Sequence, residues 1–154
     1  MSIEEYKKDL VNVFEGSPWY GKSVMKILGG IEGIDLNNKL PDGNNVAQIL
    51  EHMITWRTWG IQMFKGNYDY WIKADSNDDW ERETLFTEKD LVGLITRLKQ
   101  SQVDILENIS DKDDSWLNKQ IPERKFTFAE AVNGIIQHDI YHLGQIALLT
   151  KKKA

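Results

Sequence analysis

The sequence predicts an all-α protein, a four-helix bundle with one short accessory helix. Four segments carry apolar residues at intervals of three and four, which is the period of a helix with one buried face. Capping residues or glycine mark the ends of these segments, and no convincing run alternates between apolar and polar as a strand would. We expect residues 1–154 to form a single domain, because a chain of 154 residues is long enough to bury a core.

The first long helix is predicted at residues 3–15, where apolar residues recur at helical spacing and a glycine follows. The accessory helix is predicted at residues 19–28, because Ser17 and Pro18 form a favourable helix start and two glycines follow. Residues 33–44 are rich in turn-forming Asn, Pro, Asp and Gly and lack a sustained period. That composition predicts a loop.

The other three long helices begin at recognisable capping residues. Asn44 or Asn45 can cap the second, and Thr87 with Asp90 makes a weaker version of a capping box at the start of the third. The fourth begins with a full capping box, Thr-Phe-Ala-Glu, at residues 127–130. Apolar residues then recur at helical spacing along all three segments, which completes the set of four helices for a bundle.

Two long connections separate these later helices. Residues 65–82 are rich in aromatic, glycine and acidic residues and show no clear period. A connection of this length in a compact domain is usually functional or packed by its own side chains, so we expect it to cover something. Residues 110–125 are polar and contain Pro122, which predicts a second irregular connection.

Composition and charge exclude several classes of function. The chain has no cysteine, which excludes disulfides, thiolate zinc sites, iron–sulfur clusters and a cysteine nucleophile. Its formal net charge of −5 disfavours nucleic acid and anionic membrane surfaces as partners. The N-terminus is charged, and no apolar run approaches the ~20 residues of a membrane span, so we expect a cytoplasmic protein.

The chain contains three histidines, and their positions predict a metal site. His138 and His142 are four residues apart on the last helix, so both imidazoles lie on one face and can reach the same ion. His52 lies on another amphipathic helix, which a bundle can place opposite the pair. Three histidines leave coordination positions open for water or substrate. The alternative is that they are core or interface histidines with ordinary hydrogen-bond partners.

Two carboxylates are candidate acid–base residues, Asp139 and Glu51. The run His138-Asp139-Ile140-Tyr141-His142 resembles the H-E-x-x-H of zinc peptidases with aspartate in place of glutamate. Aspartate is one methylene shorter, and no suitable third ligand follows the run, which argues against a peptidase. We expect Asp139 to orient a neighbouring group or to form an ion pair at the surface.

Four further residues near the histidines are candidates for a pocket or for close packing. Trp56 and Trp59 follow His52 by one and two turns and are predicted to line a pocket above the metal, although core packing also explains a tryptophan there. Gln145 can hydrogen-bond an imidazole or a substrate, or lie on the surface. Gly144 either permits close approach of a second helix or is simply tolerated.

Three segments carry a family resemblance: HDIYHLGQI at residues 138–146, VAQILEH at 46–52 and, more weakly, PWYG at 18–21. They resemble the DinB superfamily of small bacterial four-helix-bundle proteins. The resemblance implies a divalent metal, commonly nickel or zinc, and a histidine triad at His52, His138 and His142. Better-understood relatives are transferases or isomerases that use low-molecular-weight bacterial thiols. Others are described as metal-dependent hydrolases or have no established activity.

The histidines and the resemblance together favour a metal-dependent enzyme with a small-molecule substrate. The leading interpretation is an S-transferase-like activity that uses a low-molecular-weight thiol. If the protein is an enzyme of another kind, the alternative is a metal-dependent hydrolase. A metal-stabilised stress-response or binding module without turnover is an alternative of another class, and a metal-free helical interaction protein is a third. The resemblance and the surplus of aromatic residues also make a homodimer plausible.

Overall fold

A computed structural model of the protein describes residues 1–31, 35–82 and 85–151. Within these ranges the chain is all-helical, with four long helices and two short ones, so the predicted all-α bundle is confirmed. The connection at residues 33–44 is not helical where it is described, and residues 33 and 34 lie outside the described ranges. The helices are α1 Ile3–Glu15, α2 Val24–Leu28, α3 Val46–Phe64, α4 Glu88–Ile109, α5 Asp114–Leu117 and α6 Phe128–Leu149.

Each long helix begins with a reciprocal capping box. The side chain of the capping residue accepts a hydrogen bond from the backbone N–H three positions on, and that third residue's side chain accepts one from the capping residue's N–H. Local sequence therefore fixes where all four long helices start. The pairs are Ser2 with Glu5, Asn45 with Gln48, Thr87 with Asp90, and Thr127 with Glu130.

The two short helices depart from the sequence predictions. The accessory helix α2 starts at Val24 rather than at residue 19, because Ser23 caps it through the backbone N–H of Lys26. Gly21 has φ +142°, a conformation that no α-helix contains, so the predicted helix over residues 19–28 cannot be continuous. The connection predicted at residues 110–125 contains the four-residue helix α5, capped by Asp113.

The core lies between α3, α4 and α6 and is divided into two clusters. One contains Met63, Ile105 and Val132, and the other contains Leu50 and Leu98, all of them buried. On α6 the first cluster ends with Ile136 and the second begins with Leu143, so the histidine-bearing turn lies between them. Within the described ranges, no helix is both long and apolar enough to cross a membrane.

Gly60 of α3 packs against the side chain of Ile135 on α6. A Cβ atom there would lie 2.4 Å from Cδ1 of Ile135, well inside van der Waals contact. Gly144, in contrast, is exposed, and a Cβ built on it would meet no atom within 4 Å. The interpretation of Gly144 as a helix-approach glycine is therefore wrong. Gly60, two turns after His52, is instead the glycine that contacts the neighbouring helix.

Candidate metal centre

The fold brings the three predicted histidines together at the interface between α3 and α6. One possible ligand atom from each of His52, His138 and His142 lies within 4.8 Å of the others. His52 and His142 are buried and His138 is half-buried. The ring centroid of His52 is 4.9 Å from that of His138 and 4.7 Å from that of His142. The three imidazoles are therefore grouped closely enough to be candidate ligands of one ion.

Hydrogen bonds at two of the rings determine which nitrogen remains for a metal. Nδ1 of His52 lies 2.8 Å from Oδ1 and 3.1 Å from the backbone oxygen of Asp79, and Nδ1 of His142 lies 2.6 Å from Oε1 of Gln145. All three partners are acceptors, so both Nδ1 atoms donate and the Nε2 lone pairs remain. Nε2 of His138 lies 3.0 Å from Nε2 of His52. The candidate ligand atoms of His52 and His142 are therefore their Nε2 nitrogens.

Burial keeps the imidazoles of His138 and His142 in their neutral, ligand-competent form. Desolvation lowers the pKa of His138 to about 3, and the neighbouring His142 and His52 add to that effect. Desolvation also lowers the pKa of His142, against the opposing hydrogen bond to Gln145. A protonated imidazole cannot bind a metal, so a depressed pKa leaves the lone pairs available at neutral pH.

Asp79 is a buried carboxylate of the site that sequence reasoning missed. Its Oδ1 accepts from Nδ1 of His52 and, at 2.7 Å, from the indole N–H of Trp56, while Oδ2 accepts from the backbone N–H of Asp75 at 2.7 Å. A carboxylate behind a ligating histidine fixes its tautomer and ring orientation and raises its basicity. Asp79 thus holds His52 in the orientation that a metal requires.

Trp80 stacks on one face of the His52 ring. The two rings are parallel within 4°, and their centroids are 3.7 Å apart. Trp80 belongs to the connection at residues 65–82, which the sequence predicted to cover something, and its position over the histidine is consistent with that expectation. The sequence contains no signal for Asp79 or Trp80 individually. Both lie in a segment that is rich in acidic and aromatic residues and has no helical period.

Both predicted acid–base candidates form ion pairs with arginine. Asp139 is 2% exposed and pairs with Arg57, which is 1% exposed, so the expected surface ion pair is in fact buried. It is buried because Asp139 lies on the side of α6 that packs against α3. Burial raises the pKa of Asp139, and the Arg57 guanidinium opposes that rise. Glu51 pairs with Arg97 of α4 at 2.7 Å.

Two cavities adjoin the histidines on different sides. The first, of about 390 Å³, is lined by His138 together with the predicted pocket residues Trp56 and Trp59. The second, of about 300 Å³, is lined by His142 and the predicted pocket residue Gln145, with Trp80 and Tyr141 among its walls. The histidine cluster therefore borders two separate spaces, each of a size that takes a small molecule or a part of one.

The family model of the DinB superfamily matches residues 23–146. The chain belongs to the DinB superfamily. The matched range contains all three histidines and both carboxylates that flank them, Asp79 and Asp139. Comparison with curated proteins and with solved structures found no match.

The histidine cluster of this DinB-superfamily protein fits a divalent transition metal. Imidazole nitrogen suits nickel and zinc, and the partners on Nδ1 of His52 and His142 are those that metal-bound histidines usually have. Two nitrogens at ~2.1 Å from one ion lie about 3.0–3.4 Å apart in neighbouring coordination positions. The 3.0 Å between the Nε2 atoms of His52 and His138 falls at the lower end of that range, whereas the three candidate ligand atoms together spread over up to 4.8 Å.

Proposed function

We propose that this protein is a divalent-metal-dependent enzyme that transfers a carbon group to the sulfur of a low-molecular-weight thiol. The observation that carries the proposal is the position of the histidine cluster between two cavities, one beside His138 and one beside His142. Nickel or zinc is the metal that the family resemblance implies, and imidazole nitrogen suits both. When bound, such an ion supplies positive charge that lowers the pKa of a coordinating thiol.

The two cavities favour transfer between two substrates over hydrolysis. Hydrolysis needs one organic substrate and a water molecule, for which a single cavity is sufficient. A transferase must hold two organic molecules with their reacting atoms in contact, which the two adjoining spaces permit. We assign the protein's own residues accordingly. His52, His138 and His142 hold the metal, Asp79 and Gln145 orient two of those ligands, and Trp56 and Trp59 exclude water from one side.

The proposed reaction is a nucleophilic substitution at carbon. The sulfur of the thiol forms a new C–S bond, the bond between that carbon and the leaving group breaks, and the leaving group departs with the electron pair. The thiol proton goes to solvent, so the products are a thioether, the leaving-group anion and a proton. No side-chain base is assigned, because Asp139 and Glu51 are both paired with arginines.

The test is an assay of the nickel- or zinc-loaded protein with 1-chloro-2,4-dinitrobenzene and, in turn, cysteine, glutathione and coenzyme A. We expect thioether formation above the uncatalysed rate with at least one thiol, and loss of that rate on chelation or in His142→Ala. Gln137→Ala, an exposed neighbour of His138 on α6, is the matched control that keeps the rate.

Three results would contradict the proposal. Turnover of 4-nitrophenyl acetate by the metal-loaded protein, without thioether formation, would identify a hydrolase. Stoichiometric metal with neither activity would indicate a binding or stress-response module. Equal thioether formation by wild type and His142→Ala would show that the histidine cluster is not the site of the reaction.

A further inference from the structure

We infer that the cavity beside His138 binds an uncharged aromatic group of the electrophilic substrate, and that Gly134 sets the size of that group. This inference deepens the proposed function and rests on it. The walls of the cavity are mainly apolar, with Trp56, Trp59, Phe126 and Ile135 among them. Away from the metal end at His138, an apolar space of this kind penalises an anionic group, because the charge would lose its hydration without gaining a partner.

Two of the polar groups that line this cavity already have partners. The indole N–H of Trp56 donates to Asp79, and the carboxylate of Glu130 accepts from the backbone N–H of Thr127 at 2.6 Å in the capping box of α6. The remaining polar side-chain groups among the lining residues are the imidazole of His138, which belongs to the histidine cluster, and the indole N–H of Trp59. The cavity therefore offers apolar contact along its length and reactive chemistry at the end occupied by His138.

The aromatic rings of the cavity are tilted rather than stacked on each other. The centroids of Trp56 and Trp59 are 6.1 Å apart with 57° between the ring planes, and those of Trp59 and Phe126 are 5.7 Å apart at 56°. His138 is similarly tilted against Trp56, at 61°. Rings arranged in this way leave faces and edges available, and a flat aromatic ligand can meet them in offset-stacked or edge-to-face contacts.

Gly134 keeps this space open. It lies on α6 one turn before His138, lines the cavity, and a Cβ built on it would have no neighbouring atom within 4 Å. Glycine inside a helix costs about 1 kcal/mol relative to alanine, and no close helix contact at Gly134 offsets that cost. A side chain at position 134 would project into the cavity beside His138, which explains why a glycine is present there.

The second cavity differs in ways that suit the thiol. Its lining includes the side-chain amides of Asn44 and Gln145 and the phenol of Tyr141, which can hydrogen-bond the polar body of a low-molecular-weight thiol. With the aromatic electrophile on the His138 side and the thiol on the His142 side, the two reacting atoms meet at the histidine cluster.

The test measures binding of the unreactive probe 1,3-dinitrobenzene to the metal-loaded protein by calorimetry. Gly134→Leu fills the space beside His138, so we expect it to weaken probe binding by about tenfold or more, with Gly134→Ala intermediate. The matched control is Gly93→Leu on α4, where a glycine also has open space but lines no part of this cavity. Metal content and helicity are measured for every variant and should be unchanged.

A charged analogue tests the preference for an uncharged ligand. We expect 3,5-dinitrobenzoate to bind the metal-free wild type about tenfold more weakly than 1,3-dinitrobenzene, because its carboxylate would be desolvated with no metal ion to coordinate it. Equal affinities for the two probes, equal affinities of wild type and Gly134→Leu, or no binding to wild type would each overturn the inference. Probe binding that responds to Gly134, in a protein without thioether formation, would reject the proposed function and leave the assignment of the cavity intact.

Discussion

At the scale of single residues, the decisive feature is which imidazole nitrogen is hydrogen-bonded to the protein and which remains for a metal. His52 and His142 direct Nδ1 to a protein acceptor, Asp79 or Gln145, and keep Nε2 for the cluster. Asp79 also accepts from Trp56, so one carboxylate fixes both a candidate ligand and a wall of the first cavity. The orientation of the site therefore depends on a residue that binds no metal itself.

Replacing Asp79 by Asn should weaken metal binding by about tenfold or more, because His52 loses the carboxylate that orients its ring and raises its basicity. The measurement is a competition titration against a chromophoric chelator. Asp78→Asn is the matched control, since Asp78 is the exposed neighbour of Asp79. Unchanged affinity in Asp79→Asn would show that the carboxylate does not support the site.

The sequence was sufficient to find site residues that are related by helical spacing. It was not sufficient to find those that only the folded path of the chain brings to the site. His138 and His142 are neighbours on any helix, and the caps and period of α3 place His52 on a second helix of the bundle. Asp79 and Trp80 reach His52 only through the path of the 65–82 connection, which no periodicity specifies. The burial of Asp139 likewise depends on which face of α6 meets Arg57.

At the scale of the helices, one buried arginine connects α3, α4 and α6. Arg57 of α3 pairs with Asp139 of α6, donates to Ser101 of α4 at 2.8 Å through Nε, and also hydrogen-bonds Gln102 of α4. Asp139 is adjacent to His138, so this network fixes α6 against α3 beside the histidine cluster. We interpret the network as structural support for the site.

Replacing Asp139 by Ala should lower the free energy of unfolding by about 3–5 kcal/mol, because it leaves the Arg57 guanidinium buried without its counter-charge. Urea denaturation of the metal-free protein measures the loss. Glu51→Ala is the control, since its partner Arg97 has 55% of its side chain exposed, and it should cost about 1 kcal/mol or less. Similar losses in the two variants would contradict this interpretation of Arg57 and Asp139.

The starts of the long helices were predictable because each capping box is encoded within four residues. The start of α2 was not, since Ser17-Pro18 and Ser23 are both acceptable beginnings and the conformation of Gly21 decides between them. The helix α5 was missed because four residues carry too little periodicity to detect.

At the scale of the whole molecule, the histidine cluster lies where the two core clusters meet on α6, so folding and the protonation of the site are coupled. The folded protein holds His138 and His142 neutral, whereas the unfolded chain protonates them near their ordinary pKa of 6.5. Below that pH the unfolded state binds more protons than the folded state. Folding is then favoured less as the pH falls.

The metal-free protein should therefore lose stability as the pH falls from 6.5 toward the pKa of about 3 of folded His138, and should keep this contribution above pH 6.5. Urea denaturation across that range measures the slope. In His138→Gln one of the titrating groups is absent, so the slope should be shallower than in wild type. The same slope in both proteins would contradict a neutral, buried His138.

The fold class and the histidines were predictable from the sequence, because apolar periodicity and helical spacing are properties of neighbouring residues. The two cavities were not, since they arise where side chains from different helices and connections leave space. Trp56 and Trp59 were predicted pocket residues from their spacing after His52, and both line the first cavity. The separation of that cavity from the one beside His142 required the assembled structure.

The measurement that tests the central claim most directly is elemental analysis of untagged protein, comparing wild type with His52→Ala and His138→Ala. Gln137→Ala serves as the control. We expect about one equivalent of nickel or zinc in wild type and in the control, and background metal in both histidine variants, because the two helices share one site. Wild type without metal, even after incubation with nickel, zinc, manganese and iron salts, would contradict the account, as would metal retained in both variants.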